Sequence, residues 1–195
     1  MTRTPSTAIE AAVLDAAEEL LAAKGADALS VRRIAAVAGV APMSVYNHYG
    51  SKSGVIEALF VSGFQRLGAE LSSLAEISDP LEALLEGGHR YRRLALDHPA
   101  AYRVMFECAV PGFEPSDAAK EVAFAAFSSL VAAVERAMSS GLIADDEPTT
   151  VAQMVWATVH GWVSIELSEM SFVEDHDAGA KTLLDTMMRG LRAQG

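Results

Sequence analysis

The chain contains a single cysteine, Cys108, so no disulfide can form within it and no two-cysteine metal motif exists. Long apolar runs are also missing: no 18 consecutive apolar residues occur, which predicts that nothing spans a membrane. The opening Met1-Thr2-Arg3-Thr4-Pro5 lacks the apolar stretch of a secretory signal and leads directly into an amphipathic pattern. A cytoplasmic protein is expected by elimination. Phosphate loops and metal-spaced ligand pairs are absent, and His48, His89, His98, His160 and His176 are dispersed along the chain. An enzyme is therefore not expected, nor is any cofactor or metal. The acidic Asp145-Asp146-Glu147 and Glu174-Asp175-His176-Asp177 read as solvated turns.

Positive charge is scarce as well. Fifteen Lys and Arg against 26 Asp and Glu give a net charge of −11, but the deficit is unevenly placed. Residues 1–66 hold six basic and six acidic residues, whereas residues 67–195 hold nine and twenty. A neutral N-terminal domain over 1–66 and an acidic body over 67–195 are expected, with the boundary inside one helix. Half the residues are apolar and a fifth are charged, a composition that can build a core.

No alternating strand pattern is present, and helical periodicity covers almost the whole chain. The spacing predicts an all-α fold of about nine helices. Ile9, Val13, Ala16, Ala17, Leu20 and Leu21 line one face of the first, which stops at Gly25. Ser30 caps a short helix through Ala38; Pro42 opens another to about Tyr49; a longer one runs from Lys52 to about Ala75. Further helices are expected from Asp79-Pro80 to His98, Pro99 to Cys108, Ser116 or Asp117 to about Ser140, Pro148 to about Ser171, and Asp177 to about Arg192.

The stretch from Ser30 to Lys52 carries the functional signal. Val31, Ile34, Ala35, Ala38, Val40, Val45 and Tyr49 can share one small core, and Gly39 permits a sharp reversal between two helices. Pro42, Met43, Ser44, Tyr46, Asn47 and His48 then project outward, mixing apolar groups suited to thymine methyls with groups suited to base edges and phosphates. The elements Ser30, Ile34-Ala35, Ala38-Gly39-Val40, Tyr46, His48-Tyr49 and Lys52 resemble the TetR family of bacterial regulators over about residues 7–60. That resemblance implies operator contacts at Ser44, Tyr46 and Asn47, and phosphate contacts at Ser30, His48 and Lys52. Arg32 and Arg33 read equally as phosphate contacts or solvated surface, and Arg3 as a tail residue or a minor-groove arm. Ala41 stands where the family often has a serine cap.

The body contributes His98-Pro99-Ala100-Ala101-Tyr102-Arg103-Val104-Met105-Phe106 and Trp156-Ala157-Thr158-Val159-His160-Gly161, which resemble the C-terminal subtype of that family named for its Trp, His and Gly. It implies an effector pocket and a dimer surface. Tyr91, Tyr102, Met105, Phe106, Phe124, Phe127, Trp156 and His160 could line an apolar cavity, a reading that rests on the set, since any one of them alone reads first as an ordinary core residue. Val155, Val159 and Trp162 on one helix, with Leu184, Met187, Met188 and Leu191 on the last, suit a homodimer interface or packing inside one chain. Arg90-Tyr91-Arg92-Arg93 reads as a solvated face with Arg93 paired to Asp97. The function expected is a homodimeric regulator, more a repressor than an activator, released from double-stranded operator DNA by a small, largely apolar effector. The alternatives are a helical ligand-binding or interaction protein without DNA binding and, further off, an enzyme.

Overall fold

The computed structural model describes residues 6–107 and 109–192, so Arg3 and Cys108 lie outside the described residues. Among the described residues there are nine α-helices: α1 (Ser6–Lys24), α2 (Val31–Ala38), α3 (Pro42–Tyr49), α4 (Lys52–Ser72), α5 (Pro80–Asp97), α6 (Pro99–Phe106), α7 (Asp117–Ser139), α8 (Pro148–Leu167) and α9 (His176–Leu191). Single 3-10 turns follow α1 and α4. No strand forms among these residues, and one isolated antiparallel bridge joins Ile143 to Arg192.

The chain divides into two compact units. Unit 1 comprises the residues up to Phe64 together with His98–Ala123; unit 2 comprises Gln65–Asp97 together with the residues from Phe124 onward. The change of unit inside α4 falls close to the charge break, but α6 and the first turns of α7 return to unit 1.

In unit 1, α1, α2 and α3 close around Val13, Ala17, Val31, Ile34, Ala35 and Val45, all buried, while Ala38, Val40 and Tyr49 are half-buried at its edge. The front of α4 adds Val55, Ile56, Leu59 and Phe60. α6 packs on α1, where the His98 imidazole lies 3.1 Å from the Glu18 carboxylate.

Unit 2 is built on α5, α8 and α9, with Leu84, Ala95, Val155, Val159, Val163, Leu184 and Met188 in its core. α7 is the one described helix whose length and hydropathy, 1.4 over its most apolar window, would suit a membrane span. Much of that apolarity is alanine, and its Ala126, Leu130, Ala133, Val134 and Ala137 are core positions of unit 2.

α8 ends at Leu167, four residues short of the expected Ser171. Glu169 takes φ 57°, and the N–H groups of Glu169 and Met170 close back on the carbonyls of Glu166 and Ile165. This is a Schellman ending with a glutamate in the left-handed position that glycine normally fills.

Candidate nucleic-acid interface and effector site

The helix-turn-helix is fixed by local hydrogen bonds. Ser30 Oγ accepts the Arg33 N–H at 3.3 Å, capping α2. Gly39, at φ 67° and ψ 26°, turns the chain through the left-handed region, and Pro42 opens α3 where its missing N–H costs nothing. Ala41 supplies no side-chain cap. At the far end of α3, the Tyr49 hydroxyl donates to the Glu10 carbonyl at 3.4 Å and the Lys52 ammonium to the Ala26 carbonyl at 3.2 Å. Burial, and then the charge of Glu10, raise the Tyr49 phenol above its ordinary pKa.

These ties decide what α3 presents. Val45 is fully buried, while Pro42, Met43, Tyr46, Asn47 and His48 are exposed on the same two turns and Ser44 is half-buried. Met43 is 65% and Tyr46 48% exposed, a large apolar and aromatic outlay with no internal partner to explain it. His48 Nδ1 donates to the Ser44 carbonyl at 2.8 Å, since a carbonyl can only accept. Among the candidate phosphate groups, Arg32 and Arg33 are exposed, Arg33 also reaching the Ala28 carbonyl at 3.4 Å. Ser30 accepts the cap hydrogen bond on its oxygen, which leaves its O–H as a donor that can reach a phosphate. Lys52 spends one of three donors on Ala26, leaving an ammonium that can also reach a phosphate.

The aromatic set expected to line a pocket is split. Tyr102, Met105 and Phe106 belong to unit 1, where Phe106 meets Phe64 edge-on and Tyr102 at a tilt, at centroid distances of 5.3 and 5.0 Å. Tyr91, Phe127, Trp156 and His160 come together in unit 2. Trp156 Nε1 donates to the Tyr91 hydroxyl at 3.1 Å, and that hydroxyl lies 2.9 Å from His160 Nδ1. On its other side the His160 ring places Nε2 3.5 Å from Ser164 Oγ. Phe127 lies against the Trp156 ring at 6.1 Å, whereas Phe124 is 70% exposed. A cavity of about 220 Å³ also opens in unit 2, but Leu71, Ser72, Leu74, Ala75, Ser129, Ala132, Ala133 and Arg136 line it, none of them from the expected set.

Of the residues expected at a dimer surface, Val155, Val159, Leu184 and Met188 are buried within unit 2 itself, while Trp162, Met187 and Leu191 are half-buried. The outward apolar stripe on α8 runs instead through Met154, 54% exposed, to Ile165, 50% exposed, with no heavy atom within 4 Å of where a Gly161 Cβ would stand.

The expected solvated reading of Arg90–Arg93 is corrected by the structure. Arg92 forks onto Glu166 at 2.6 and 2.8 Å and reaches Asp177 at 2.6 Å; its side chain is 16% exposed and that of Glu166 only 8%. Arg90 bonds Glu86 and Ser73, and Arg93 lies 3.7 Å from Glu86 rather than pairing with Asp97. His176 stands 3.4 Å from Glu166, and Asp175 caps α9 through the Ala178 N–H. The acidic turn before α9 is therefore part of an ion cluster and a cap. Side-chain hydrogen bonds from Arg92 hold the Glu166 carboxyl below its ordinary pKa against the opposing effect of burial. Among the described residues, no three His, Cys, Asp or Glu side chains are grouped to hold a metal ion.

The family of bacterial regulatory proteins, tetR family, matches residues 13–59, and the tetracyclin repressor-like C-terminal domain family matches residues 84–191. No curated protein matches the chain. A Rhodococcus sp. RHA1 protein of unknown function shares 27% identity at a TM-score of 0.82, covering 95% of this chain and 96% of its own. A TetR transcriptional regulator of Streptomyces coelicolor shares 26% identity at a TM-score of 0.62, covering 95% and 99%. NalD, the secondary repressor of the MexAB-OprM multidrug efflux pump in Pseudomonas aeruginosa, shares the fold at 24% identity and a TM-score of 0.70, covering 97% and 98%.

Proposed function

The chain belongs to the TetR family of bacterial regulatory proteins, which are transcriptional regulators and not enzymes, and from that premise we propose that it is a homodimeric repressor that reads operator DNA through α3. The observation that carries the reading is the exposed row Pro42, Met43, Tyr46, Asn47 and His48 standing on a fully buried Val45. Two such helices, about 34–36 Å apart in a dimer, would enter successive major grooves of a pseudo-palindrome. The outward α8 stripe from Met154 to Ile165, with Trp162, Met187 and Leu191, supports pairing of two copies. The regulator acts on DNA in the bacterial cytoplasm.

Its effector is a small, largely apolar molecule received in unit 2 beside Tyr91, Phe127, Trp156 and His160, where the hydrogen-bonded hydroxyl and imidazole give an otherwise apolar site one polar centre. Binding there favours a conformer of lower operator affinity, a coupling of about 1–3 kcal/mol.

The test is binding of the purified protein to DNA from upstream of its own gene across a salt series, beside Tyr46→Ala. Tight binding that weakens steeply with salt and is lost in the variant is the expected result. Equal, weak binding by both proteins there, followed by an empty genome-wide fragment selection, would favour the helical interaction module over the regulator.

A further inference from the structure

We propose that α3 reads A·T base pairs, with Asn47 taking an adenine and Met43 a thymine methyl group about two base-pair steps away in each half-site. This rests on the reading of α3 as the operator-binding helix and adds what that helix selects.

The argument begins with what α3 does not carry. Guanine is most often read by the fork of an arginine or by a lysine on O6 and N7, and cytosine by a carboxylate accepting from N4. Pro42 to Tyr49 contains no Arg, Lys, Asp or Glu. His48 commits its Nδ1 proton to the Ser44 carbonyl at 2.8 Å, which leaves it without the two-donor fork that guanine O6 and N7 take.

What α3 does expose fits the other base pair. Asn47 carries a carbonyl and an amide NH₂ side by side, matching the N6 donor and N7 acceptor of adenine. Met43, 65% exposed, is an apolar group whose partner on a base edge is the thymine methyl, and Pro42 beside it is exposed too. Met43 and Asn47 are one helical turn apart on the same face, about 6 Å along the axis. Base pairs rise about 3.4 Å each, which gives the spacing of two steps. Ser44 and Tyr46 carry hydroxyls that donate and accept alike, so they add affinity without choosing a base pair.

Selection of duplexes from a randomised library by the full-length protein, by Asn47→Ala and by Met43→Ala tests this. Both side chains are exposed, so the variants keep the fold, and helicity and melting temperature verify that. The wild type is expected to enrich paired half-sites with A·T at two positions. Asn47→Ala should lose about 5- to 150-fold of the adenine preference, the span of one bidentate base contact. With the wild type alone, 7-deazaadenine at that position, which lacks the N7 acceptor but keeps the N6 donor, should cost part of that preference, and deoxyuridine for thymine about 4-fold, one buried methyl. In Asn47→Ala the 7-deazaadenine should cost nothing further. Half-sites whose strongest positions are G·C and survive both substitutions, or analogues bound as tightly as the natural bases, would overturn the inference while leaving the DNA reader intact. A library with no enrichment would overturn both together.

Discussion

The helix-turn-helix and the α5–α8–α9 cluster of unit 2 are fastened by different kinds of polar bond. Between Ala26 and Gly54 the side chains of Ser30, Arg33, Ser51 and Lys52 end on backbone atoms. In unit 2, Arg92, Glu166, His176 and Asp177 join three helices side chain to side chain, and so do Tyr91, Trp156 and His160. A backbone partner neither titrates nor disappears on mutation, so the reading head keeps one geometry over a wide range of conditions. A carboxylate partner can be neutralised, and its loss strands a charge away from water. Unit 2 is thus where pH and single substitutions should act most strongly.

Arg92→Met breaks that contrast at its largest point. It leaves the Glu166 carboxylate, 8% exposed, without its fork, and should cost about 3 kcal/mol, the lower end for a buried pair because Asp177 remains in water. Arg93→Met, one residue on at 61% exposure, should change stability by less than about 0.5 kcal/mol. Urea unfolding of the two variants checks the pair, and equal effects would refute the assignment. The same cluster sets an acid limit. Arg92 depresses the Glu166 pKa, so this stabilisation is complete above the unfolded carboxyl's value of about 4.3 and is lost as pH falls through the lower folded value. The melting temperature of the wild type should drop below about pH 4, and Glu166→Gln should flatten that part of the profile.

The next comparison sets two glycines against each other. A Cβ on Gly54, in the first turn of α4, would collide with the Tyr49 carbonyl at the end of α3. That carbonyl is backbone and cannot swing aside, so Gly54→Ala must shift the recognition helix. A cost of about 1–3 kcal/mol is expected despite the better helix propensity of alanine, together with weaker DNA binding. Gly161, on the outward face of α8, has nothing within 4 Å. Gly161→Ala should stabilise a lone chain by about 0.5–1 kcal/mol. If a second copy packs there, the sign reverses and dimerisation weakens, which sedimentation reads directly.

How far the sequence could be read follows the same division. Ser30, Gly39, Pro42 and Gly50 punctuate the helix-turn-helix within a few residues of the elements they bound, so local chemistry was sufficient to place α2 and α3. The partners of Arg92 lie 74 and 85 residues away. Helical periodicity puts Arg92 on a face but cannot say that α8 and α9 cover it, and for that reason the basic run read as solvated. Residue type misled in another way: Tyr102 and Phe106 look like pocket residues, yet in unit 1 Phe106 packs on Phe64 and Tyr102 on Phe106. Nothing in Ser168-Glu169-Met170 marks a stop, so α8 read four residues too long.

A smaller test concerns the two caps inside the reading head. Ser30 accepts the Arg33 N–H, whereas Ala41 does nothing for the first turn of α3. Ser30→Ala should cost about 1 kcal/mol, and Ala41→Ser should gain a comparable amount. The two changes act on neighbouring helices through independent bonds, so the double variant should melt near the wild type. A shortfall in Ala41→Ser would mean that the Ala41 side chain points away from the N–H groups of Met43 and Ser44.

The smallest expected effect lies at the end of α8. Glu169 occupies the left-handed region at φ 57°, which costs a residue with a Cβ about 1 kcal/mol. Glycine removes that cost but gives the unfolded chain more freedom, an opposing effect of about 0.4–1 kcal/mol. Glu169→Gly should therefore stabilise by a few tenths of a kcal/mol at most, while Glu169→Val, β-branched and ill suited to positive φ, should destabilise measurably. The ordering Gly, Glu, Val in melting temperature is the informative result, because helix propensity alone would place glycine last. Finding glycine last would show that Glu169 continues the helix, and that α8 extends toward Ser171 as its sequence suggests.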